Sequence, residues 1–145
     1  MRNPILFVTI GLLVAGCGNK TPNTVGHDSD VSERSKTEYR IFYQVGSDGT
    51  HECWVPRSEL PKVSLWTNLS IAPPVSVEEA IGLAAKTGGD SPDQLVNVML
   101  IKEMLPDVPV FWKYTLTFGR TNGYHCYVVL MDGRVFTANE IHAKR

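Results

Sequence analysis

Between Val110 and Phe118 every second side chain is large and apolar: Val110, Trp112, Tyr114, Leu116 and Phe118 alternate with Phe111, Lys113, Thr115 and Thr117. A period of two places the two sets on opposite faces of a β-strand, whereas a helix would scatter both around its circumference. The chain must therefore build a sheet with one strongly apolar face and one mixed face. Gly119 to Gly123 turns it, Tyr124 to Met131 returns it, and Asp132-Gly133 makes a further tight turn into Val135-Phe136-Thr137. These segments predict an antiparallel meander.

A second strand pair precedes it. Tyr39, Ile41, Tyr43 and Val45 alternate with Arg40, Phe42 and Gln44, and the Asp48-Gly49 turn signal leads into a returning strand over Thr50 to Val55. Residues 56 to 75 carry Pro56, Pro61, Pro73 and Pro74 with Trp66, and predict an extended connection over the domain. The clearest helix is Ser76 to Lys86. Ser76 and Glu79 have capping-box spacing, Val77, Ala80, Ile81, Ala84 and Ala85 make one apolar stripe, and Gly88-Gly89 ends it. Residues 91 to 105 fit two patterns. Ser91-Pro92 with Gln94 suits a helix start, while Leu95 to Ile101 is apolar on both faces and suits a central strand. The strand is the preferred reading. The expected class is α+β: a small antiparallel sheet, made of the meander and the N-terminal hairpin, with one helix packed on one face.

At the N-terminus, Arg2 is followed by an apolar run from Ile5 to Ala15, broken only by Thr9 and Gly11. At 1.5 Å per residue these positions cover roughly 16 Å, about half of a hydrocarbon layer, which disfavours a permanent transmembrane helix. The run ends in Leu13-Val14-Ala15-Gly16-Cys17, which resembles the lipobox of bacterial lipoproteins. That resemblance implies a signal peptide over residues 1–16 and a diacylglycerol thioether on Cys17. Several acyl chains on one residue anchor a protein to a membrane without spanning it. Gly18 lacks the aspartate associated with inner-membrane retention, so the resemblance further implies an outer-membrane anchor facing the periplasm where the host is Gram-negative. Residues 17–37 then read as the lipidated cysteine and a flexible tether, poor in apolar side chains and containing His27, and residues 38–145 as a single α+β domain.

The run from Pro73 to Ile81, followed by strands ending in Val128-Val129-Leu130-Met131-Asp132-Gly133-Arg134-Val135, resembles a PepSY-type domain over about residues 73–137. That family implies one helix on a small antiparallel sheet in exported bacterial proteins, often with suggested roles in binding or restraining other proteins. The Met-Asp-Gly-Arg ending departs from the Asp-x-x-Thr-Gly turn of many members.

Chemistry is sparser. The 14 Lys and Arg against 15 Asp and Glu leave a net charge of -1, no basis for general nucleic-acid binding. No nucleophile-elbow, zincin, P-loop or dinucleotide fingerprint is present, so no cofactor and no enzymatic activity are expected. Glu78 and Glu79 are explained by the helix cap and dipole. With Cys17 lipidated, Cys53 and Cys126 pair most economically as one disulfide. The chain-entropy gain from closing such a long loop is about 4 kcal/mol. A turn centred between Gly119 and Gly123 would set Cys126 opposite Leu116 on the apolar face. His51, Cys53, His125 and Cys126 are all potential zinc ligands, but adjacent His125 and Cys126 should point to opposite faces, so no metal is expected. The sheet face left bare by the helix would carry Phe42, Phe111 and Tyr127, an aromatic patch suited to a protein partner in the envelope.

Overall fold

The computed structural model describes residues 28–46 and 49–141. In chain order the elements are α1 (Asp28–Thr37), β1 (Glu38–Gly46), β2 (Gly49–Pro56), α2 (Val77–Gly88), β3 (Leu95–Leu105), β4 (Val108–Arg120), β5 (Gly123–Leu130), β6 (Val135–Thr137) and β7 (Asn139–Ile141). Short 3₁₀ turns at Arg57–Glu59 and Pro92–Gln94 precede the long connection and β3. The fold is α+β, as the alternation of short apolar periods and one amphipathic helix predicts. No helix among the described residues is long and apolar enough to cross a membrane.

The strands form two antiparallel sheets instead of one. The order β3-β4-β5-β6 makes a four-stranded sheet, and β1-β2-β7 makes a three-stranded one. Helix α2 packs on one face of the larger sheet, with Ala80, Ala84 and Ala85 against Tyr114, Leu116, Phe118, Tyr127 and Val129. The second sheet packs on the other face, with Ile41, Phe42, Cys53 and Val55 against Phe111, Cys126, Val128 and Leu130. Strand β4 is thus the middle layer, and every residue from Lys113 to Phe118 is buried. The mixed face predicted for it is covered as fully as the apolar one.

Helix α2 starts and stops where its sequence dictates. Ser76 Oγ accepts a hydrogen bond from Glu79 N at 3.1 Å, and Gly89 closes the C-terminus at φ 68°. The strand reading of the ambiguous stretch holds. Its Ser91 cap serves only the 3₁₀ turn at Pro92–Gln94, and β3 begins at Leu95.

Three local expectations are corrected. The tether expected over residues 17–37 contains α1 from Asp28, so the fold begins ten residues earlier than expected. Among its described side chains, none is buried. Instead Arg34 stacks over Trp54 at 5.0 Å and pairs with Glu38, while Arg57 donates to Ser35 O. Second, the register of β1 shifts between Arg40 and Phe42. A bulge turns both Ile41 and Phe42 inward and reverses the alternation beyond it, leaving Tyr43 53% and Val45 67% exposed.

The third correction is a register slip. Arg120 pairs with Gly123, so the β4–β5 loop is Thr121-Asn122 alone, and Cys126 lies opposite Thr117 instead of Leu116. One residue of slip moves a side chain to the other face. Cys126 therefore faces the second sheet and Tyr127 faces α2.

Candidate functional site

The most chemically organised cluster lies where the end of α2 meets the β4–β5 hairpin. Asp90 follows the left-handed Gly89, and its N–H returns to Ala85 O at 2.9 Å. This cap aims the carboxylate, whose side chain is 0% exposed, toward the larger sheet. Tyr127 donates its hydroxyl to Asp90 Oδ2 at 2.6 Å. Arg120 donates from Nε to Oδ1 at 2.5 Å and from a terminal nitrogen to Gly88 O at 2.7 Å. His125 Nδ1 stands 3.2 Å from the Tyr127 hydroxyl and 3.4 Å from Asp90 Oδ2.

This geometry sets the protonation pattern. Burial acts to raise the Asp90 pKa, but the Tyr127 hydroxyl and the Arg120 guanidinium outweigh it and hold the carboxyl below its usual range. Burial, with the bond to Asp90, pushes the Tyr127 phenol well above its usual range. The single Tyr127 proton is committed to Asp90, so its oxygen can only accept from Nδ1 of His125. His125 is then the donor of this contact through Nδ1, and its other ring nitrogen, Nε2, is not used by the cluster.

Beside this cluster is a groove of about 300 Å³ lined by Arg120, Thr121, Asn122, Gly123, Tyr124 and His125. Its walls are of mixed polarity and come from one hairpin. The arrangement suits hydrogen bonding to a small polar group.

Between the two sheets lies a second polar cluster. Lys113 reaches Glu103 Oε1 at 2.5 Å and also donates to Ile41 O, and Tyr39 donates to Glu103 Oε2 at 3.2 Å. Burial lowers the Lys113 pKa against the pull of Glu103. This group ties β1 to β3 and β4.

The residues singled out in the sequence are distributed differently. Cys17, the expected lipidation site, lies outside the described residues, as does His27. Cys53 and Cys126 do enter one core cluster, yet the expected disulfide is absent and both are thiols. Sharing a cluster is a weaker condition than the 4.4–6.8 Å Cα separation and aligned Cβ vectors that a bridge needs. Cys126 Sγ lies 3.8 Å from Thr117 Oγ1, and burial pushes the Cys53 thiol up to about 11.

The aromatic partner surface is also corrected. Phe42, Phe111 and Tyr127 are 7%, 3% and 1% exposed. Phe42 and Phe111 are covered because the hairpin forms its own layer, and Tyr127 because the register slip turns it toward α2. His51 and Cys53 share the buried face of β2, and Cys126 faces the same layer, while His125 lies on the opposite side of β5. Among the described residues no group of three or more potential ligands converges.

Sequence reasoning did not find Asp90 or Arg120. Asp90 looks like an ordinary post-helix residue, and its partners stand 30 and 37 positions away. The one available signal was Gly88-Gly89, a close-approach glycine followed by a cap. A Cβ on Gly88 would lie 1.7 Å from the Tyr127 hydroxyl.

Comparison with family models, curated proteins and solved structures finds no match to this chain.

Proposed function

We propose that this chain is a bacterial lipoprotein held to the cell envelope through Cys17, with a non-enzymatic α+β domain that binds another envelope protein. The anchor rests on Leu13-Val14-Ala15-Gly16-Cys17 after the apolar run. The binding role rests on one observation in the fold: β3 is an eleven-residue edge strand with no neighbour on its outer side among the described residues. Such an edge accepts an extended segment by main-chain hydrogen bonding, and exposed Val96 and Met104 supply apolar contacts at its two ends. A PepSY-like arrangement over residues 73–137 belongs to the same reading, since α2 followed by antiparallel strands is the order that resemblance implies.

Two experiments test it. Cys17→Ser should abolish metabolic labelling with fatty acid and move the protein out of the membrane fraction; unchanged labelling rejects the anchor. Crosslinked envelopes should yield a reproducible protein partner that is lost with Val96→Lys plus Met104→Lys. Recovery of that partner with the doubly charged edge rejects β3 as the surface.

A second reading, binding of a small polar ligand, is favoured by the groove lined by Arg120 to His125. A His125→Ala variant that keeps its protein partner but loses binding to a screened polar compound would favour it.

A further inference from the structure

The connection between β2 and α2 is pinned at its ends by buried Leu60 and Val75 but turns the aliphatic side chains between them outward. Trp66 packs against Trp112 with ring centroids 5.0 Å apart and donates from Nε1 to Ile71 O at 2.8 Å. Asn68 closes the tip, its Oδ1 accepting from Ser70 N at 2.9 Å and its carbonyl from Ile71 N at 3.1 Å. These bonds fix a knuckle on which Val63, Leu65, Leu69 and Ile71 are 61%, 46%, 65% and 62% exposed. A loop that merely collapsed would bury such side chains. This one spends its tryptophan on holding them out.

We propose that this knuckle is a second membrane contact, seated in the interfacial layer of the bilayer that carries the lipid anchor. The proposal rests on the lipoprotein reading for which membrane is presented. Cys17 is eleven peptide steps before Asp28, where the described fold begins. Even fully extended, that chain spans at most about 40 Å, so the domain is kept within roughly its own dimension of the surface. The connection starts beside the same N-terminal segment, since Arg57 donates to Ser35 O in α1.

Composition favours lipid over protein as the occupant. Protein hot spots are rich in Trp, Tyr and Arg, and poor in Leu and Val. Here Trp66 is turned inward and the outward set is wholly aliphatic, separated by Ser, Thr and Asn that suit a headgroup layer. Lys62 is the one charged residue from Leu60 to Val75, and its sign matches anionic headgroups.

The test uses the full chain, processed in cells and reconstituted in vesicles of phosphatidylethanolamine and phosphatidylglycerol. An environment-sensitive fluorophore is placed at Leu69→Cys and, at the remote β4–β5 turn, at Thr121→Cys, with the unsubstituted chain as labelling background. The label at 69 should shift to the blue and be quenched severalfold more by nitroxide lipids than the label at 121. Adding Ile71→Asp should remove most of that difference. Equal, solvent-like emission at both positions on floating vesicles overturns the proposal. Protection of position 69 that appears only when other envelope proteins are present also overturns it, in favour of a protein occupant. Flotation reads the anchor separately: Cys17→Ser that floats unchanged, with position 69 still quenched, rejects the anchor and supports the knuckle.

Discussion

Tyr127 and Asp90, 37 residues apart in sequence, are joined by a 2.6 Å hydrogen bond that fastens the end of α2 to strand β5. The bond is buried and its acceptor is charged, so it is among the stronger single contacts in the fold. Tyr127→Phe should lower unfolding free energy by about 1–3 kcal/mol, measured by urea titration at pH 7. Loss of less than a few tenths would show that Arg120 alone satisfies Asp90.

The same carboxylate makes stability depend on acid pH. The folded Asp90 pKa is held below that of the unfolded chain, about 3.9, so its contribution is fully present above that value. It is lost as pH falls below about 4 and through the folded value. Asp132, held down against its own burial by Arg134, acts in the same direction. Asp90→Asn should therefore flatten part of the acid limb of a stability-pH curve below about pH 5, while Asp132→Asn leaves Asp90's share intact. An unchanged limb in Asp90→Asn would contradict this assignment.

Gly88 allows that bond to form at all. Its missing Cβ is the space in which the Tyr127 hydroxyl and the Asp90 carboxylate meet. Gly88→Ala should cost about 2 kcal/mol or more, despite the ordinary preference of helices for alanine over glycine. A thermal melt that rises with Gly88→Ala would refute the close approach.

Two substitutions on the sheet face between the layers should have opposite signs. Thr115 Oγ1 is buried with no hydrogen-bond partner. Thr115→Val removes that polar atom at nearly constant volume and should stabilise by about 1 kcal/mol in urea titration. Lys113→Met leaves Glu103 beside the core without its cation and should destabilise by about 3 kcal/mol. Replacing Glu103 by Leu in the same chain should recover part of that loss.

The two core thiols give a direct count. Burial pushes Cys53 up to about 11, so it is overwhelmingly the unreactive thiol at pH 8. Native protein should resist alkylation at both Cys53 and Cys126, and denaturation without reductant should release two reactive thiols by mass spectrometry. Release of none would restore the bridge.

Elements whose cause is local were legible in the residue pattern. Period-two alternation made β4 a strand, the turn after it called for the returning β5, the Ser76 cap and Gly89 bounded α2, and the apolar run with its cysteine defined the proposed export segment. Local periodicity carries this information because a strand or helix repeats its environment every few residues. Which faces meet followed from packing between distant segments. A single bulge in β1 reversed the exposure of Tyr43 and Val45, and a two-residue turn instead of a longer one exchanged Cys126 with Tyr127 across the sheet. Neither leaves a distinct mark in the residue pattern, because face assignment depends on register and register depends on packing elsewhere. The N-terminal hairpin was legible as two strands, but its place in a second layer was not. The Asp90 cluster was least legible of all. Its acid, phenol, guanidinium and imidazole come from separate stretches, and only the docking of α2 onto the larger sheet brings them within hydrogen-bonding distance.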